Sequence, residues 1–141
     1  FIYASNFSLG VNLFFELNAQ LAKMMAGLKE YNVSMEEIHH TQKLDAPSGT
    51  AITLAEGIIQ NSDYEKWELD NADERTLPIT SIREGSVPGT HSITYESAVD
   101  KIEIKHEAFN REGFALGAVI AAEWLRGKTG VFTMKDVLNL S

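Results

Sequence analysis

A chain of 141 residues, 44% hydrophobic and 23% charged, is long enough for one sizeable core and too apolar in composition to remain disordered. Its formal net charge of -8 argues against nucleic acid or an anionic membrane as partner, because both select basic surfaces. The chain has no cysteine, which excludes disulfide scaffolds, thiolate metal sites and cysteine nucleophiles and fits a reducing, cytoplasmic setting.

The opening, "FIYASNFSLG", has no methionine, basic region or cleavage site. It reads as the last strand of a preceding unit rather than as a signal peptide. Residues 1–4 are a short apolar run that predicts a buried strand, 5–10 a turn, and Ser8 a helix N-cap. Over 11–31, Val11, Phe14, Leu17, Leu21, Met24 or Met25, and Leu28 recur at helical spacing, with Asn12, Asn18, Gln20 and Lys23 off that stripe. A strand is predicted over 35–42, a turn over 45–49 and a helix over 50–60. The polar, acidic stretch 61–76 reads as a loop or insertion. Pro78 cannot donate to a ladder, so the next strand is expected just after it, at 79–84. Strands at 90–97 and 101–108 complete a three-strand meander. Ile93, Tyr95, Ile102 and Ile104 are expected to place more apolar surface on these strands than one helix layer hides. Residues 114–125 are helical and apolar nearly all round, a pattern that requires cover on most sides. Arg126 and Gly127 end that helix, and "MKDVLNL" closes the chain as a short helix or strand. The class is α+β: a small, mixed, mainly antiparallel open sheet with helices on one face.

The chemistry gathers in "EEIHHTQKLDAPSGTA", residues 36–51. His39 and His40 are neighbours, so on a strand they point to opposite faces, and both reach one site only if the strand end curls. The bland alternative is one core and one exposed histidine. Lys43 adds a third potential cation, although a loop lysine is usually just solvated. Asp45 either pairs with Lys43 or a histidine, or caps the next helix. Pro47, Ser48, Gly49 and Thr50 form a small-residue turn that opens a helix, whose first N–H groups are unpaired. That makes a site for an anion, or simply a well-capped helix. A helix start contributes roughly 0.3–1 kcal/mol and each charge-assisted hydrogen bond roughly 1.5–3 kcal/mol. Micromolar binding needs about 8 kcal/mol, so several such contacts to one or two carboxylates are required. His91 and His106 lie on later strands, and nothing in the sequence fixes whether they approach the site. There is no P-loop, no HExxH and no GxGxxG, so no metal site is expected and the chain has no dinucleotide fingerprint of its own.

The ordered run "EIHHTQKLDAPSGTA", residues 37–51, resembles the signature of dihydrodipicolinate reductases of the diaminopimelate route to lysine. "ASNFSLGVN" resembles the segment where that family's cofactor domain passes into its substrate domain, and "GFALGAVIAAEWL" with "GVFTMKDVLNL" resembles its C-terminal end. The resemblance implies a glyceraldehyde-3-phosphate-dehydrogenase-like C-terminal domain, with the N-terminal Rossmann domain missing from this sequence. It implies that 1–9 end the cofactor domain and form a hinge, and that 10–110 bind substrate and oligomerise. Residues 111–141 would then pack on the absent dinucleotide-binding domain. It implies catalytic roles for His39 and Lys43, the latter as proton donor. Substrate-binding roles fall to His40, Ser48, Gly49 and Thr50, and places beside the nicotinamide of NADH or NADPH to Ala4, Ser5, Asn6 and Phe7. The implied partners are a cyclic dicarboxylate and further copies of the chain in a homotetramer. Many relatives carry basic residues where this chain has Thr41 and Gln42. An alternative of a different class is a non-catalytic anion-binding or oligomerisation module on the same scaffold.

Overall fold

The computed structural model describes residues 1–140. Helix α1 spans Leu9–Met25, β1 Asn32–His39, α2 Gly49–Gln60, β2 Lys66–Leu69, β3 Thr76–Arg83, β4 Gly89–Glu96, β5 Lys101–Ala108, α3 Glu112–Leu125 and α4 Met134–Val137. The five strands form one sheet in the order β2-β3-β1-β4-β5. β1 runs parallel to β3 and antiparallel to β4; β2 is parallel to β3, and β5 antiparallel to β4.

Period-2 alternation sets which side chains enter the core. On β1, Val33, Met35, Glu37 and His39 are buried while Asn32, Ser34 and Glu36 are exposed. Register carries the same face across the sheet: Ile79, Met35, Ile93 and Ile104 lie side by side on β3, β1, β4 and β5. Helices α1 and α2 cover this face through Phe14, Ala22 and Met25 on one and Ala51, Leu54, Ala55 and Ile58 on the other. Full burial of a residue such as Leu54, Ile58, Ile79 or Ile93 is worth roughly 1.5–3 kcal/mol each.

Several expectations change. The meander reduces to β4–β5, because β1 inserts between β3 and β4. The loop after β3 must therefore cross the end of β1, and Glu84 N–H donates to His39 O at 2.8 Å as it does so. The stretch read as a loop contains β2, where Trp67 and Leu69 alternate with charged residues and the chain then reverses at Asp70 (φ 55). Pro78 lies inside β3 rather than before it, and its partner strand β2 is only four residues long. The first strand shrinks to a single bridge between Ile2 and Phe132.

Helix α1 begins as expected on Ser8, whose Oγ accepts from Val11 N–H at 3.4 Å, but ends at Met25. Leu17, Met24 and Leu28 are exposed, while Asn18 is 1% exposed. Asn18 is buried where the two helices meet, and its Nδ2 donates to Leu54 O at 2.9 Å. The expectation about surplus strand surface holds only at the edge strand. Ile93, Tyr95, Ile102 and Ile104 share the helix-facing side, where Ile93 and Tyr95 are buried and Ile104 packs against the core, while Ile102 on β5 is 40% exposed. The open face carries Ser34, Glu36, Thr80, Ser92, Thr94, Glu103 and Lys105, with the half-buried pair Ile38 and Ile82 beside them on β1 and β3.

The apolar helix α3 is little covered: only Gly117 and Ala121 are buried, and Leu116 and Val119 are exposed. Gly117 is pressed directly on the main chain before α1, where an added Cβ would stand 1.8 Å from Phe7 O. That contact fixes the 5–8 segment, which forms one wall of the cleft described next. No helix among the described residues is long and apolar enough to cross a membrane.

Candidate functional site

β1 stops at His39, and the chain turns at once into the loop that leads to α2. The curl lets both neighbours reach one place. His39 and His40 line a cleft of about 310 Å³, together with Lys43, Ser48, Gly49 and Thr50 from the loop and the start of α2. Ser5, Asn6 and Phe7 form its opposite wall, and Pro88, Arg111 and Phe114 complete it. Of the residues given a catalytic, substrate or cofactor role by the resemblance, Ala4 alone falls outside this lining: it lines a neighbouring hollow with Thr53, Glu56 and Gly57.

The loop is held from below. Glu37, fully buried, accepts from His39 Nδ1 at 2.8 Å, from Ser48 N–H and from the Arg83 guanidinium. Arg83 also donates to Lys43 O at 3.3 Å and Asp45 O at 2.6 Å. Lys43 N–H donates to His40 O at 3.2 Å, so the lysine backbone is fixed on both sides. Its ammonium lies 3.2 Å from Asp45, whose carboxyl that contact holds below the usual range. The cap of α2 is Ser48, not Asp45: Ser48 Oγ accepts from Ala51 N–H at 3.1 Å and stands 3.0 Å from His91 Nε2. Thr50 Oγ1 accepts from Asn6 Nδ2 at 3.3 Å, which joins the two walls.

Two buried groups fix the charge state of this floor. Burial works to raise the Glu37 carboxyl, but hydrogen bonds from His39, Arg83 and Ser48 outweigh it and hold the group at about 2. Losing Arg83 would leave a buried carboxylate without its main counter-charge. Burial, then the nearby His39, push His91 down to about 3, so it is neutral at physiological pH. His91 meets His39 edge to face at 5.1 Å. His106, its partner on β5, packs instead on Phe14 at 5.9 Å, outside the cleft lining.

These shifts predict an acid-sensitive fold. His91 titrates near 6.5 when unfolded and about 3 when folded. As pH falls below 6.5 the unfolded chain takes up the proton first, so stability is full above 6.5 and lost progressively toward 3. By about pH 5 this single group removes about 2 kcal/mol. Glu37 acts lower, its contribution present above 4.5 and lost as pH falls through about 2. Urea unfolding at pH 7 and pH 5 reads the loss, which shrinks in His91→Gln. Equal stability at the two pH values in the wild type would contradict a buried neutral His91.

Sequence reasoning missed Glu37, Arg83, Arg111 and Phe114. Glu37 carried a visible signal, two residues before His39 and so on the same strand face. Arg83 and Arg111 carried none, because only the fold brings β3 and the start of α3 to this loop. Among the described residues the Arg111 side chain makes no hydrogen bond or ion pair, which leaves its charge available to a ligand.

The family model described as "Dihydrodipicolinate reductase, C-terminus" matches residues 10–138. The curated 4-hydroxy-tetrahydrodipicolinate reductase of Christiangramia forsetii is 68% identical over 140 residues, covering 99% of this chain and 59% of that protein. The one from Buchnera aphidicola subsp. Schizaphis graminum is 36% identical over 152 residues, covering 98% and 54%. Among solved structures, a dipicolinate-bound dihydrodipicolinate reductase from a Paenisporosarcina species superposes with a TM-score of 0.66 at 25% identity, covering 94% of this chain and 52% of that one. The chain thus spans little more than half the length of these relatives. The matched span takes in the whole sheet and every cleft residue from His39 to Phe114, and on that footing the chain belongs to the dihydrodipicolinate reductase family, as its C-terminal part.

Proposed function

We propose that this chain is the substrate-binding part of an enzyme that reduces 4-hydroxy-tetrahydrodipicolinate, or the derived dihydrodipicolinate, to tetrahydrodipicolinate with NADH or NADPH, on the cytoplasmic route to lysine. The observation that carries the reading is the convergence in one cleft of His40, Lys43, Arg111 and the N-terminal turn of α2, beside His39. A dicarboxylate asks for such a set: cations around it and oriented N–H donors at a helix start. Gly49 and Thr50 offer backbone donors and Thr50 a hydroxyl, while Arg111 and His40 line the same cleft. The dipicolinate found in the Paenisporosarcina relative is a ligand of the same class.

The wall of Ser5, Asn6 and Phe7, with Phe114 nearby, suits the flat nicotinamide ring, and an added Cβ on Gly49 would come within 4.0 Å of Ser5 Cβ. When bound, that cofactor supplies hydride to the substrate ring. This chain's own residues then have two tasks. They hold the ring by its carboxylates, and Lys43 or His39 delivers a proton to the ring carbon left electron-rich. Nothing in the sequence cradles a pyrophosphate. Segments 1–9 and 111–140, joined by the Ile2–Phe132 bridge, would face the cofactor domain. A homotetramer would use the open face of the sheet, and light scattering at the mass of a single chain would contradict it.

The test is NADH and NADPH oxidation with freshly generated substrate. The full-length protein is expected to turn over and the 141-residue chain alone to be inactive. Failure of the full-length protein with both cofactors would reject the reading.

A further inference from the structure

We propose that Glu37 is the positioning residue of this site: its carboxylate fixes the tautomer of His39 and, through Ser48 and Arg83, the placement of the 43–48 loop. The assignment follows from counting donors. Oε1 receives His39 Nδ1 and an Arg83 nitrogen, and Oε2 receives Ser48 N–H and the second Arg83 nitrogen at 3.4 Å. A carboxylate in that position is an acceptor only, so His39 must present Nδ1–H to it. The nitrogen left to exchange a proton is Nε2, on the side of the ring away from Glu37.

His39 is buried, and the space beside its Nε2 depends on residue 89 having no side chain. Gly89 lies against it, and an added Cβ there would stand 3.0 Å from Nε2. His91, beside the ring, is engaged with Ser48 Oγ rather than with His39. Glu37 therefore serves two sides of the cleft with one buried charge. It orients the histidine at the end of β1, and it anchors the main chain where α2 begins. Arg83 extends the same anchor to the carbonyls of Lys43 and Asp45. Loop and histidine are bound to the same carboxylate, so they are held in register with one another.

The role in catalysis rests on the functional reading above; the tautomer does not. Long-range ¹H–¹⁵N correlation spectra of the ¹⁵N-histidine-labelled chain, without substrate or cofactor, read it directly. Neutral His39 is expected as the Nδ1–H form in the wild type. A Glu37→Gln amide has one acceptor oxygen for donors that now use two, so this variant is expected to show a mixture of tautomers. In the full-length enzyme, Glu37→Gln should lower kcat about 10- to 100-fold with KM changed less than about threefold, and Glu37→Asp should recover part of the loss. A merely structural glutamate would lower the folded fraction and leave the kcat of the folded enzyme unchanged. Wild-type His39 in the Nε2–H form would overturn the proposal whether or not Glu37→Gln folds, and so would a folded Glu37→Gln enzyme with wild-type kcat. If the full-length protein proves inactive, the functional reading fails while the spectra still decide the tautomer.

Discussion

In the full-length protein, His39→Gln and Lys43→Ala are each expected to lower kcat by roughly 10²–10⁴-fold while KM moves far less. Proton delivery stabilises the transition state and adds little to binding of the substrate itself, so its loss falls on kcat. The geometry makes both residues costly to replace. His39 is held by Glu37 at 2.8 Å and cannot be relieved by a neighbour, because His91 is neutral and turned to Ser48. Lys43 projects from a backbone fixed at its own N–H and carbonyl, with its charge only partly engaged by Asp45 at 3.2 Å. Steady-state kinetics with the better of NADH and NADPH decides the matter. A loss under about fivefold for both variants would show that neither is the acid.

Arg111→Ala is expected to act on the other kinetic constant. A guanidinium with no partner among the described residues, lining a cleft proposed to hold an anion, is expected to contribute to binding in the ground state and transition state alike. Its removal should weaken dicarboxylate affinity roughly 10- to 100-fold, the equivalent of one charge-assisted hydrogen bond. Thr50→Val should act in the same direction but more mildly, because the hydroxyl is shared with Asn6. Measured KM, and the Kd of a dicarboxylate mimic, should rise together. A fall in kcat at constant KM would instead place Arg111 in the chemistry.

The parts of this account legible in the sequence are those fixed by local pattern. Ser8 caps α1, and β5 falls on its expected residues, because caps and alternation are properties of neighbours in the chain. The run from His39 to Thr50 was legible as a site because its cations and its helix start are sequential. Tertiary choices were not. Period-2 alternation gives a strand two faces but not its neighbours, so the insertion of β1 between β3 and β4 was invisible. The same limit sent Ile93 and Tyr95 to the wrong account of the surface. Asn18 lies off the apolar stripe of α1 in the sequence, and the Leu54 carbonyl that accepts from its Nδ2 lies on another helix. Arg83 and Arg111 joined the site through folding alone.

The central claim is that this cleft holds a dicarboxylate. Isothermal titration of the 141-residue chain with pyridine-2,6-dicarboxylate tests it without cofactor or turnover. The account predicts one saturable site per chain in the micromolar range, weakened by Arg111→Ala. Absence of saturable binding at millimolar ligand, with the chain shown to be folded, would contradict it.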